Sequence, residues 1–345
     1  MASRELGLVL EILRSRPPGD RLSVDELRAR LENFASTIAG PDGTRCVPAV
    51  AGTVRAEWVS ASGNSERATI LYLHGGSYVL GSIATHRALA ARVAAACDAT
   101  TLLIDYRLAP EHPFPAAVDD AVGAYRWLLA RGIDPGRIVV AGDSAGGGLA
   151  AATLVALRDA GDPLPAAAGL LCPWVDLEGT GRSLAANADA DPMVDRDGLT
   201  RAAAAYLGGA DPRTPLAAPL HADLGGLPPM LIQVGTKEAL LDDSVRFAAR
   251  ARAAGVDVQL EQWDDMIHVW HAFAPLLPEA NAAIRQAACA AAASSRRLRP
   301  RADSGAPKRS SARRRGSRTT FSSDVVNVMS PTNAAAGFGW PSAPG

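Results

Sequence analysis

From about residue 53 to residue 290 the chain alternates short, nearly continuous apolar runs with Ala-rich amphipathic stretches, and this rhythm narrows the possible folds sharply. A run that is apolar at successive positions reads as a strand covered on both faces, and such strands occur in parallel sheets flanked by helices. The strand-like runs are 68–73, 101–105, 137–141, 168–172, 229–234 and 256–263. Helical stretches at 85–97, 116–131, 146–160 and 242–254 lie between them, and an Ala-rich helix at 279–293 follows. The expectation is an α/β fold on a mostly parallel sheet.

Two segments depart from the rhythm. The first forty residues read as helices: Ser23-Val24-Asp25-Glu26 has the Ser-x-x-Glu form of a capping box, with Leu27, Leu31 and Phe34 on one face after it. Residues 181–225 are punctuated by Asn, Asp, Pro and Gly around one helical piece, 197–207, and read as an insertion between two strands. Beyond residue 295 the chain turns to Ser, Arg, Pro and Gly around Arg313-Arg314-Arg315, the composition of a disordered basic tail over 296–345.

Charge follows the same division. The tail holds ten Lys or Arg and two Asp or Glu, leaving 25 basic and 34 acidic residues in 1–295, so a net charge of −1 conceals a body near −9 and a tail near +8. An acidic body excludes a broad nucleic-acid surface on the folded part. No run of about eighteen apolar residues offers a membrane span, and Met1-Ala-Ser-Arg-Glu5 lacks the basic-then-apolar order of a secretory leader; the chain reads as cytoplasmic. Cys46, Cys97, Cys172 and Cys289 have neither CxxC nor zinc spacing, so reduced, buried thiols are expected, without a metal site.

Gly142-Asp143-Ser144-Ala145-Gly146 fits G-x-S-x-G between an apolar strand and a helical stretch. Small residues on both sides permit the tight turn that lifts a nucleophilic serine above a sheet, and the helix start places a positive dipole end beneath a developing oxyanion. Seventy residues earlier, His74-Gly75-Gly76-Ser77 follows another strand; Gly75 and Gly76, with Ala145, are the expected oxyanion N–H donors. An acid and then a histidine must follow in loops after later strands. Glu238 lies in the loop after 229–234 and is favoured over Asp242, which with Asp243 suits the start of the next helix. His268 comes first in the loop after 256–263 and is the expected general base, with His271 the runner-up.

Six stretches together resemble the hormone-sensitive-lipase family of bacterial esterases: His74-Gly-Gly-Ser-Tyr-Val-Leu-Gly-Ser82, Asp105-Tyr-Arg-Leu-Ala-Pro-Glu-His-Pro-Phe-Pro115, Gly142-Asp-Ser-Ala-Gly-Gly147, Pro173-Trp174, Gly226-Leu-Pro-Pro229 and Met266-Ile-His-Val269. The resemblance covers about residues 20–290 and departs at Ser77, where the family carries a third glycine. It implies an α/β-hydrolase fold: a mostly parallel eight-stranded sheet flanked by helices over 46–295, with a small helical cap made of 1–45 and an insertion at about 181–212. Trp174, Tyr78, Leu207 and Met193 are then candidates to line the pocket, His74 supports its loop and Asp143 fixes the elbow. The implied activity is hydrolysis of short- to medium-chain carboxylic esters through an acyl-enzyme, with a small-molecule ester as partner and no cofactor. Two copies pairing through the edge of the sheet is a further implication. A lactonase, amidase or acetyl-group hydrolase could use the same triad. A non-catalytic receptor on this scaffold is disfavoured by the intact Ser144, Glu238 and His268.

Overall fold

The computed structural model describes residues 3–15, 22–61 and 68–297, with side chains up to residue 287. The strands are β1 (Arg45–Ala51), β2 (Val54–Ser60), β3 (Ala68–Leu73), β4 (Ala99–Ile104), β5 (Ile138–Asp143), β6 (Ala167–Leu171), β7 (Met230–Gly235) and β8 (Val258–Trp263). They form one sheet in the order β1-β2-β4-β3-β5-β6-β7-β8, antiparallel only where β1 and β2 join it. The helices are α1 (Arg4–Arg14), α2 (Val24–Ala35), α3 (Ile83–Cys97), α4 (Ala116–Ala130), α5 (Ala145–Asp159), α6 (Ser183–Ala186), α7 (Arg196–Leu207), α8 (Leu241–Ala253) and α9 (Pro278–Arg297). All six expected strands are present. The α9 helix overruns the expected start of the basic tail, and the remainder of that tail lies outside the described residues.

Alternation along the strands divides the core between the two sheet faces. Leu71 and Leu73 of β3 join one apolar cluster, with α4 and α5, while Ile70 and Tyr72 join another, with α3 and α9. Helix α1 docks Leu6, Val9 and Leu13 into the second cluster, and Ser3 donates from its backbone N–H and Oγ to Glu279 at 2.8 and 2.9 Å. Helix α2 begins at the expected capping box, with both reciprocal Ser23–Glu26 bonds formed.

The β1–β2 hairpin has no counterpart among the strand-like runs. Its burial alternates, and Arg45, Pro48, Arg55 and Glu57 interrupt its apolar positions, as suits a half-covered sheet edge. Cys46 on β1 is exposed, which corrects the expectation of buried thiols; Cys172 is buried.

Register sets the site. Leu73 pairs with Gly142, Asp143 with Leu171, Leu171 with Gln233 and Gly235 with Trp263. The C-terminal ends of five adjacent parallel strands therefore stand side by side, and the loops leaving them meet in one row.

Candidate active site

Ser144 sits between β5 and α5 at φ 53° and ψ −122°, a backbone conformation unfavourable to a side-chain-bearing residue. Its neighbours hold it there. The Ser144 N–H donates to the Leu171 carbonyl at 2.8 Å, and its own carbonyl accepts from Trp174 at 2.9 Å and Gly148 at 3.1 Å. A Cβ at Gly142 would overlap the Gly146 carbonyl, and one at Gly146 would overlap the Leu73 carbonyl. The two glycines of the motif are thus required by the close approach of three backbones.

The loops after β7 and β8 bring Glu238 and His268 to this turn. A Cβ at Gly235 would overlap the Met266 carbonyl, so a glycine there lets the two loops touch; Lys237 N–H donates to that same carbonyl at 3.0 Å. His268 Nε2 lies 2.9 Å from Ser144 Oγ, and its Nδ1 lies 3.5 Å from Glu238 Oε1, at the long end of hydrogen-bonding range. Glu238 Oε2 accepts the Gly235 N–H at 3.0 Å. All three side chains are buried. Burial alone would lower the His268 pKa, but the Glu238 contact and charge, joined by Asp191 and Asp143, outweigh it and the net direction is upward.

Around His74 the arrangement corrects one expectation. The Gly75 N–H, expected as an oxyanion donor, is already engaged by Asp143 Oδ1 at 3.2 Å and His86 Nε2 at 3.3 Å. Gly76 and Ser77 lie at φ 119° and 56°, and among the described residues neither N–H has an acceptor. Ala145 opens α5, where an N–H has no partner within its helix. His74 stacks on Tyr106 at 4.2 Å and receives the Tyr106 hydroxyl on its carbonyl at 2.7 Å, a supporting position. Asp143 accepts from Tyr72 at 2.9 Å as well as from Gly75, joining β3, the oxyanion loop and the elbow.

The runners-up are engaged elsewhere. Asp242 Oδ2 accepts the Arg182 and Ser183 N–H groups at 2.6 and 3.1 Å, and His271 Nε2 meets Gln233 Oε1 at 2.9 Å. Among the expected lining residues Tyr78 and Trp174 are fully buried, Leu207 is buried and Met193 is exposed. Sequence reasoning missed Tyr206, whose ring stacks on Tyr78 at 3.8 Å and 6°, and His86, whose Nε2 is 3.3 Å from Asp143 Oδ2. Neither carries a motif; a lone aromatic ending an Ala-rich helix was the only signal for Tyr206.

The family model for the alpha/beta hydrolase fold matches residues 70–272. The chain belongs to that family. Within it, the chain is a hydrolase of the hormone-sensitive-lipase type found in bacteria, as solved structures of that type show. It is 47% identical over 290 residues to an acetyl-hydrolase of Streptomyces hygroscopicus, covering 83% of this chain and 96% of the relative. Carboxylesterase NlhH of Mycobacterium tuberculosis is 40% identical over 222 residues, 61% of this hydrolase and 69% of that protein. The crystal structure of EstE5 soaked with p-nitrophenyl butyrate superposes with a TM-score of 0.82 at 47% identity, covering 86% of this chain and all of EstE5. An esterase of the bacterial hormone-sensitive lipase family gives 0.81 at 49% identity, covering 84% and 97%. Among the described residues no helix of this hydrolase is long and apolar enough to cross a membrane.

Proposed function

We propose that this carboxylic-ester hydrolase works through a Ser144–His268–Glu238 triad and prefers short acyl groups. The observation that carries the triad is the 2.9 Å contact between Ser144 Oγ and His268 Nε2 at an elbow serine of positive φ. Ser144 Oγ attacks the ester carbonyl while His268 Nε2 takes its proton; Glu238 orients the ring through Nδ1 and favours its charged form. The tetrahedral oxyanion is received by the N–H groups of Gly76, Ser77 and Ala145, Ser77 standing where Gly75 was expected. Collapse returns the proton to the leaving alcohol and leaves an acyl-Ser144. Water, deprotonated by His268, releases the acid by the same steps in reverse.

The acyl preference is supported by the aromatic wall beside the elbow. Tyr78 directly follows the oxyanion loop, stacks on Tyr206 and lies 5.9 Å from the Trp174 ring, and a Cβ at Gly148 would come within 2.9 Å of Tyr78 Oη. On this reading the packed rings bound the acyl site and favour a short chain. Acetyl esters are therefore substrates of choice, in keeping with the acetyl-hydrolase relative. The free thiols of Cys46 and Cys172 support a cytoplasmic setting, and β8, at the end of the sheet, is the edge through which two copies would pair.

Hydrolysis of p-nitrophenyl esters from acetate to laurate tests this reading. Expected are fast turnover of the shortest esters, loss of several orders of magnitude in Ser144→Ala and about 10³–10⁴-fold in Glu238→Ala. A folded wild type that turns over anilides and not esters would overturn it.

A further inference from the structure

The insertion bearing α6 and α7 grips the loop that carries Glu238, through side chains that the mechanism above leaves without a task. Asn187 Nδ2 donates to the Thr236 carbonyl at 3.2 Å and to the carbonyl of Glu238 itself at 2.8 Å. Asp191 is buried and accepts the Ala239 N–H on Oδ2 at 2.9 Å and the Met193 N–H on Oδ1 at 3.0 Å. Ser183 Oγ donates to the Ala239 carbonyl at 2.7 Å and accepts the Asp242 N–H at 3.0 Å. By contrast, the loop's own backbone-to-backbone bonds are long: Glu238 N–H to the Gly235 carbonyl spans 3.5 Å, and Leu241 N–H to the Glu238 carbonyl 3.4 Å, so that within the loop only the Gly235 N–H on Glu238 Oε2, at 3.0 Å, is of ordinary length. A carboxylate that must be held to within about half an ångström needs better support than that, and the insertion supplies it.

Charge adds a second link. The groups facing His268 are Ser144 and Asp143 at the end of β5, Cys172 after β6, Glu238 after β7, His271 beyond its own loop, and Asp191 from the insertion. Cys172 and His271 are uncharged at neutral pH, burial raising the one and lowering the other to about 3. Asp143 is bound by Tyr72 and Gly75. Its charge acts on the imidazole together with those of Glu238 and Asp191, and Asp191, whose own carboxyl burial raises, is the one that does so from outside the sheet.

We infer that Asn187 and Asp191 are positioning residues for ester hydrolysis: both fix the Glu238 loop against His268, and Asp191 adds negative charge that favours the imidazolium formed as Ser144 attacks. This rests on the Ser144–His268–Glu238 reading and deepens it, since it makes the insertion part of the acid–base machinery. The backbone of the catalytic acid then depends on a segment some fifty residues earlier in the chain.

The test compares Asp191→Asn and Asn187→Ala with wild type on p-nitrophenyl acetate, with rates expressed per serine titrated by phenylmethylsulfonyl fluoride so that unfolded protein does not count. Asp191→Asn keeps an oxygen for the Ala239 N–H, gives up the one that Met193 N–H uses, and removes the charge. Its kcat should fall between about tenfold and a hundredfold with little change in KM. The acidic limb of its kcat/KM profile should move to lower pH, because a base losing a nearby negative charge gives up its proton more readily. Asn187→Ala should lose kcat similarly with the limb unmoved. Wild-type kcat in Asn187→Ala, or an unmoved limb in Asp191→Asn, overturns the inference; should Asp191→Asn yield no titratable serine, Asn187→Ala decides. Ser144→Ala, run alongside, keeps the questions apart: activity retained there refutes the triad itself.

Discussion

His74 and His271 lie in the interior as neutral rings, each with a pKa lowered to about 3, by burial first and by the charge of a neighbouring histidine second at His74. Between the ordinary value of 6.5 and about 3 the unfolded chain binds protons at both positions that the folded chain refuses, so stability falls as pH drops through that window, by on the order of 1 kcal/mol per pH unit for each ring. Asp243 opposes them. Burial raises its carboxyl from 3.8 to about 7, so between those values the folded chain holds a proton that the unfolded chain releases, and its stabilisation is lost as pH rises. Among these three groups the two rings outweigh the one carboxyl between pH 6.5 and 3.8, and together they lower stability on acidification. Replacing His271 with Gln should flatten the fall in Tm between pH 6.5 and 5, as read by calorimetry; an unchanged slope would place the acid sensitivity elsewhere. At this scale the motifs were informative where chemistry and chain order restrict a position, as for Ser144, Glu238 and His268, which the structure brings into contact. They were misleading at Gly75, because the side chain that occupies its N–H, Asp143, belongs to a strand that only the fold places alongside.

Elements position what residues perform. The elbow works because β5 and α5 meet at glycines, and Gly146→Ala would drive a Cβ into the Leu73 and His74 carbonyls. Overpacking against backbone costs about 1–3 kcal/mol or more, so this variant should unfold at lower denaturant and lose most esterase activity, whereas Gly123→Ala, on open ground in α4, should do neither. Helix α7 contributes Tyr206 to the aromatic wall. Tyr206→Ala should raise kcat/KM for the octanoate ester relative to acetate by roughly tenfold, the scale of a few methylenes finding an apolar pocket; an unaltered ratio would mean that the wall does not bound the acyl site. Strands buried on both faces were legible from composition because nearly every position is apolar, as in β7, where only Gln233 interrupts. The β1–β2 hairpin was not, since a sheet edge half open to water mixes charge and proline with its apolar positions.

Across the whole molecule the N-terminal helices and the insertion reach opposite halves of the machinery. From α2, Arg28 donates to the Val79 carbonyl at 2.9 Å and the Ala109 carbonyl at 3.0 Å while forking onto Glu111 at 2.7 and 2.8 Å, so it braces the loop just past Gly76 and Ser77, the oxyanion donors proposed above. Arg28→Ala should lower kcat/KM on short esters by about tenfold, a cost on the scale of an oxyanion loop loosened rather than removed. Arg28→Lys should not restore it, because an ammonium cannot make the same planar fork. Wild-type kcat/KM in Arg28→Ala would reduce α2 to a cover. The site as a whole uses only the C-terminal ends of the strands, and the opposite ends are closed by turns such as those at Gly132, Gly161 and Gly255, where a side chain would meet nothing within 4 Å. A linker anchored at those turns would leave the catalytic face pointing outward, so the enzyme can be tethered to a solid support or fused to cargo from beneath with its mouth free to the substrate stream.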